Sequence, residues 1–242
     1  LRVFLEKIGG LLLVLVLLAG SVPSCTGTTP NPQDKLTSRL SAQYFSEIYL
    51  NISERRARSA VVKVSPLLST GHGTGTYFEM FGKKVVITAK HVSQGHEKML
   101  VVAPSGEAVV GKLIYEDVLL DYSVLLVPNM ETRESVLYAP IQFDPESLIG
   151  SRLSYVGYPA QHKMFMSRGY VSGYEGGYLI VNMYGWFGSS GAVLFNDLGE
   201  VVGIVTGIGS EQGQIMENIV WATPIYKINN KALRKSVMTG KI

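Results

Sequence analysis

The sequence predicts an all-β protein, and three observations support this. From Ala60 onward, short β-branched, aromatic and aliphatic runs recur between glycine, proline, asparagine and aspartate residues. The 242 residues include 26 glycines and 10 prolines, which suits many short strands joined by turns. No long helical period interrupts this texture until the C-terminal end. About twelve short strands with turn signals read as barrels or a sandwich.

The elements follow in order. Arg2 and Lys7 flank a short charged start, and Leu11 to Ala19 is unbroken apolar sequence followed by Gly20, Ser21 and Ser24. The run is shorter than the about 20 residues of a membrane span but has the form of a signal-peptide core. Residues 1–24 are therefore read as a signal peptide or membrane anchor. Val22-Pro23-Ser24-Cys25 resembles a bacterial lipobox, which makes Cys25 the lipidation candidate. A single acyl chain holds a protein at a membrane only weakly. This N-terminus predicts an exported protein, periplasmic or in the cell envelope, with three readings open: a lipid anchor at Cys25, plain signal cleavage, or membrane attachment through a retained N-terminal anchor.

Residues 25–33, rich in Thr, Pro, Gly and Asn, read as a flexible tether. Asp34 is placed to cap a helix, and Leu36, Leu40, Tyr44 and Ile48 share one helical face, so an amphipathic helix is expected over 34–58. Such a helix either packs on the main domain or binds a partner.

The main domain spans 59–242. Its first strand series is Val61–Val64, Gly75–Phe78, Lys84–Thr88, Met99–Ala103, Ala108–Tyr115 and Ser123–Val127. The second is Arg152–Gly157, Met164–Ser172, Tyr178–Met183, Ala192–Phe195, Val201–Thr206 and Ile219–Thr223. Tyr226 to Val237 is expected to close the chain as a helix, with Ile228, Ala232 and Leu233 on one face.

Composition narrows the function. The net charge of +3, from 22 basic and 19 acidic residues, with no long basic run, argues against a nucleic-acid partner. Arg55, Arg56 and Arg58 read as a solvated helix end. One cysteine excludes an intramolecular disulfide. His72, His96 and His162 lack metal-ligand spacing and read as loop histidines. With no phosphate loop or cysteine pair, neither metal nor cofactor is expected.

Three motifs carry chemistry. Val86-Ile87-Thr88-Ala89-Lys90-His91 comes first, Leu120-Asp121-Tyr122-Ser123-Val124-Leu125-Leu126 second, and Gly188-Ser189-Ser190-Gly191 third. A serine hydroxyl needs an imidazole within reach to become a nucleophile. The imidazole needs a carboxylate to fix its tautomer and stabilise its charged form. His91, Asp121 and Ser190 supply the base, its orienting acid and the nucleophile. Alone, each has an ordinary reading as a core histidine, a turn acid or a turn hydroxyl; the three in this order, each beside a strand, do not.

At these motifs the chain resembles the chymotrypsin-like (trypsin-fold) serine peptidases, most closely the disulfide-free bacterial Deg-type branch. The resemblance covers residues 58–228 and includes Gly199-Glu200-Val201-Val202-Gly203-Ile204-Val205. It implies two six-stranded antiparallel β-barrels, over 59–135 and 136–225, with the active site in the cleft between them. His91 and Asp121 would come from the first barrel and Ser190 from the second.

The resemblance also implies an oxyanion hole formed by the backbone N–H groups of Gly188 and Ser190. Ser189 stands where the family has Asn or Asp, and Ala192 where it has Gly. Thr206 matches a position whose hydroxyl supports the acid, and Thr206, Gly207 and Ile208 would pair with the substrate backbone. Tyr184 falls at the base of the pocket for the residue preceding the cleaved bond. No Asp there awaits a basic residue, so small or apolar residues are the expected preference.

The expected function is an exported serine endopeptidase acting on a protein or peptide substrate through an acyl-enzyme. The alternatives are a viral or phage processing protease of the same fold, an inactive pseudoprotease that binds without cleaving, and a lipoprotein whose helix recruits a partner. Only a short stretch follows Ile228, and no downstream peptide-binding domain is read in it.

Overall fold

The computed structural model describes residues 50–241. Cys25, the leader at 1–24, the tether at 25–33 and most of the helix expected at 34–58 lie outside the described residues.

The first described helix, α1, spans Ile52–Ala60. Asn51 starts it: its side chain accepts the Glu54 N–H at 2.9 Å, and Glu54 accepts the Asn51 N–H at 3.0 Å. This reciprocal cap satisfies two helix-end donors at once. Leu50 and Asn51 are not helical, so the expected helix is not continuous through them, and α1 runs on to Ala60. The buried Glu54 carboxylate also takes an ion pair from Arg168. Burial alone would raise the Glu54 pKa. The hydrogen bonds from Arg168 and the Asn51 amide, with the nearby guanidinium charges, outweigh burial and hold it below the usual carboxylate value.

Thirteen strands follow. The first sheet contains β1 (Val61–Pro66), β2 (Gly73–Met80), β3 (Lys83–Ala89), β4 (Lys98–Val102), β5 (Ala108–Asp117), β6 (Tyr122–Leu126) and β7 (Val136–Leu137). Six of these run β1-β4-β5-β6-β3-β2, and β2 pairs back with β1 to close the barrel. The two-residue β7 adds to β2 in parallel, so the chain leaves the first sheet after Leu137 rather than at the expected 135–136 boundary.

The second sheet contains β8 (Arg152–Gly157), β9 (Phe165–Glu175), β10 (Tyr178–Asn182), β11 (Val193–Asn196), β12 (Val201–Glu211) and β13 (Gln214–Pro224). It is a closed antiparallel barrel ordered β10-β13-β12-β11-β8-β9.

The apolar residues gather into three cores. One fills the first barrel around Val62, Val86, Met99 and Leu125. Another fills the second around Tyr155, Leu179, Leu194 and Val220. The third joins the barrels through Phe78, Ile87, Val124, Val193, Phe195 and Ile204. It explains why β2 is buried on both faces instead of alternating: one face fills its barrel and the other meets the second barrel.

The closing helix starts later than expected. Ile225–Lys227 forms one 3₁₀ turn, and α3 runs over Asn230–Thr239. Asn229 caps α3 by accepting the Ala232 N–H at 3.1 Å. Leu233 and Val237 join the inter-barrel core. No helix among the described residues is long and apolar enough to cross a membrane.

Candidate active site

His91 is carried by a single helical turn, α2 (Lys90–Ser93), directly after β3. Its N-cap, Ala89, has no side chain to cap with, and Asp121 fills that role from the β5–β6 turn. The Asp121 carbonyl accepts the Lys90 N–H at 3.1 Å, and Oδ1 accepts the His91 N–H at 2.9 Å. Oδ2 lies 2.7 Å from His91 Nδ1. An ionised carboxylate only accepts, so Nδ1 carries the proton and Nε2 of a neutral ring is left as an acceptor.

Asp121 holds this position at φ +52°, in the left-handed region that Asp and Asn enter more readily than most residues other than Gly. The turn before it is braced locally and from the other barrel. Asp117 Oδ1 accepts the N–H groups of Leu119 and Leu120, and Thr223 Oγ1 on β13 donates to the Leu120 carbonyl at 2.7 Å.

Ser190 lies in the irregular segment between β10 and β11. Four consecutive peptide carbonyls there are each held by a different donor. Phe187 O accepts from Ala160 N at 2.7 Å, and Gly188 O from Thr74 Oγ1 at 2.7 Å. Ser189 O accepts from Ala192 N at 2.9 Å, and Ser190 O from Thr74 N at 2.8 Å. A trans peptide sets its N–H opposite its C=O, so these anchors also aim the amides. The Ser189, Gly191 and Ala192 N–H groups go to Trp186, Val205 and Ser189 carbonyls. Among the described residues, the Gly188 and Ser190 N–H groups have no acceptor.

Two glycines make this path possible. Gly188 sits at φ +99° and Gly191 at φ +88°. A Cβ on Gly188 would overlap the Tyr158 carbonyl, and one on Gly191 the Thr74 carbonyl and Thr88 Oγ1. Ala192 is fully buried and its backbone stays out of the left-handed region, so alanine fits where the family has glycine. Ser189 is also buried, with Oγ accepting the Trp186 N–H at 3.1 Å and lying 3.1 Å from Tyr155 Oη.

His91, Gly188 and Ser190 line one cavity of about 180 Å³. Asp121, Thr206, Gly207 and Ile208 line a second, of about 310 Å³, with Tyr178 and Trp221. The two flank the His91–Asp121 pair. A larger cavity of about 440 Å³, near Arg56, Val136 and Glu200, touches none of these residues. No hydrogen bond joins Ser190 Oγ to His91 among the described residues. Such contacts are often long before substrate binds.

Two positions differ from expectation. The Thr206 hydroxyl donates to the Trp221 carbonyl at 3.4 Å, not to Asp121. The cause is a register shift between Val205 and Gly207 that bulges β12 at Thr206 and re-aims its side chain. Tyr184 lines neither cavity beside Ser190; its ring packs on Phe165 at 5.1 Å and its carbonyl accepts from Tyr155 Oη.

Sequence reasoning also missed His72, taken for an ordinary loop histidine. It lines the cavity with Ser190, and its Nε2 donates to the Tyr158 carbonyl at 2.9 Å. Its placement between Gly71 and Gly73, just before a strand, was the available signal. Among the described residues, no three His, Cys, Asp or Glu side chains gather as a metal site requires.

Residues 73–204 match the family model described as a trypsin-like peptidase domain. This chain belongs to the trypsin-like peptidase family. It is similar to the serine endoprotease DegS of Haemophilus influenzae, at 25% identity over 86% of this chain and 63% of that protein. It is also similar to the serine endoprotease DegS of Escherichia coli K12, at 27% identity over 96% of this chain and 68% of that protein. Among solved structures it matches a serine endoprotease from Yersinia pestis with a TM-score of 0.62 and 27% identity, over 78% of this chain and 66% of that one. The chain thus spans about two thirds of the length of these relatives.

The trypsin-like peptidase match begins at Gly73 and ends at Ile204, so it takes in all three motifs. It stops short of Thr206, Gly207 and Ile208. Those three have β13 on one side only, because β11 pairs no further along β12 than Ile204.

Proposed function

We propose that this chain is an exported serine endopeptidase that cleaves peptide bonds through an acyl-enzyme. Ser190 Oγ attacks the scissile carbonyl and His91 Nε2 takes its proton. The carbonyl oxygen becomes an oxyanion between the Gly188 and Ser190 N–H groups. His91 then protonates the leaving amine, which departs as the acyl-enzyme forms. Water, deprotonated by the same imidazole, releases the acid product. Asp121 holds the ring and stabilises its charged form throughout.

One observation carries this reading: the two unpaired N–H groups flank Ser189 in a segment whose carbonyls are all anchored. Donors fixed before the reaction cost no reorganisation when charge develops, and each is worth roughly 10²–10³ in rate. The open side of Thr206–Ile208 suits an extended substrate strand, whose backbone would pair there. The only carboxylate lining the two cavities is Asp121, already engaged by His91, so small or apolar residues before the cleaved bond fit better than basic ones. Export to the periplasm or cell envelope, with Cys25 as the lipid attachment point, rests on the leader sequence and on the likeness to the DegS proteases.

The unmade Ser190–His91 hydrogen bond favours a second reading, a pseudoprotease that binds without cleaving. A fluorophosphonate probe separates the two. The peptidase reading predicts labelling of the full chain that Ser190→Ala and His91→Ala both abolish. A folded parent that stays unlabelled would support the binding module instead.

A further inference from the structure

We propose that Thr74 is the positioning residue for the anion-binding amides, reaching from the first barrel to set the nucleophile segment of the second. The proposal rests on the hydrolytic reading above.

Every polar atom of Thr74 is engaged, and the residue is fully buried. Oγ1 accepts the Tyr158 N–H at 2.9 Å and donates to the Gly188 carbonyl at 2.7 Å. The backbone N–H donates to the Ser190 carbonyl at 2.8 Å, and the backbone carbonyl accepts from Thr88 Oγ1 at 2.7 Å. One side chain and one amide thus hold two of the four peptide planes around Ser190.

The chemistry restricts which residue can do this. One neighbour of Oγ1 is an N–H and the other a C=O, so the group must accept and donate at once, as only a hydroxyl of this size does well. Of the flanking glycines, Gly73 serves the same purpose and Gly75 clears the first barrel's own core. A Cβ on Gly73 would lie 2.9 Å from the Ser190 carbonyl, and one on Gly75 would press on Val86 and Val64. Gly73 therefore lets β2 approach the segment closely, and Thr74 presents a single hydroxyl to it.

Without Oγ1, the plane between Gly188 and Ser189 keeps only the Ser189 N–H bond to the Trp186 carbonyl, at 2.9 Å. Gly188 has the backbone freedom to rotate. That plane links the Gly188 amide, held through the Phe187 carbonyl by Ala160, to the Ser190 amide, held through the Ser189 carbonyl by Ala192, so the aim of one relative to the other would slacken. Binding along Thr206–Ile208 on β12 would be untouched, so the loss falls on the chemical step.

The test compares the full chain with Thr74→Val, Thr74→Ser and Thr74→Cys. Saturable fluorophosphonate labelling reads the maximal rate and the half-saturating probe concentration separately, and thermal unfolding is followed in the same samples. Thr74→Val should lower the maximal rate about 10–100-fold at an unchanged half-saturating concentration, a fraction of what losing a whole donor costs. Thr74→Ser should restore the parent rate. Thr74→Cys, a weaker donor and acceptor, should fall between and serves if the valine variant does not fold.

A parental rate in a folded Thr74→Val protein would overturn the proposal. So would a serine variant as slow as the valine one, because the methyl group would then be what matters. The Gly188 amide resonance in ¹⁵N-glycine-labelled protein keeps this test apart from the peptidase reading. If the parent shows no Ser190-dependent labelling, that reading fails. A Gly188 signal displaced by Val and Cys but not by Ser would still support Thr74 as the positioning residue, and one that none of them moves would overturn it.

Discussion

The two halves of the site are built in opposite ways. The His91–Asp121 half is nearly self-contained: three of its hydrogen bonds join α2 to one residue, thirty positions along the same barrel. It sets Asp121 at a left-handed φ, and the other barrel braces the turn through the Thr223 and Tyr178 hydroxyls, which donate to the Leu120 and Leu119 carbonyls. The Gly188–Ser190 half is shaped by glycine and held from outside, by Ala160 in a neighbouring loop and by Thr74 across the cleft. A base can be oriented by one partner. A pair of amides must be aimed together, and that takes anchors on each peptide plane.

The largest expected effect breaks the first half alone. Asp121→Asn keeps the size of the side chain but offers an amide where His91 needs an acceptor, favouring the wrong tautomer. Labelling should slow by about 10⁴-fold with little change in melting temperature. A large fall in stability would mean that Asp121 acts chiefly as the cap of α2.

Gly191→Ala attacks the second half through its backbone. The added Cβ meets Thr74 and Thr88 in a left-handed conformation, so both strain and overlap oppose it. Urea unfolding should show a loss of about 3 kcal/mol together with loss of labelling. Unchanged stability would show that the segment relaxes easily, against the anchored picture.

This contrast also explains what was legible in the sequence. His91, Asp121 and Ser190 each sit in a local motif beside a strand, so residue type and order sufficed. The strands themselves were readable because the apolar runs and turn residues are local signals, and twelve of the thirteen were anticipated. The missed one, β7, is two residues long and exists through its pairing with β2. Thr74, His72 and Ala160 act through contacts with residues far along the chain, and the only local mark is the run of Gly71, Gly73 and Gly75. Thr206 was misjudged because a bulge, set by pairing with β13, turns its hydroxyl away. The start of α1 depends on a reciprocal cap at Asn51, a signal the longer helical period masked.

A smaller effect sharpens the comparison. Thr223→Val removes the hydroxyl that braces the Asp121 turn from the second barrel. The expected cost is about 1 kcal/mol in stability, with at most about a fivefold fall in labelling rate. A loss as large as that of Asp121→Asn would show that the first half depends on the second barrel after all.

The most direct measurement is a crystal structure of the chain with a phosphonate bound covalently to Ser190. The account predicts a phosphoryl oxygen accepting hydrogen bonds from both the Gly188 and Ser190 N–H groups, within about 2.7–3.1 Å, with residues 187–191 unmoved. An oxygen bound elsewhere, or a segment that must rearrange to receive it, would contradict the claim that the anion site is built in advance.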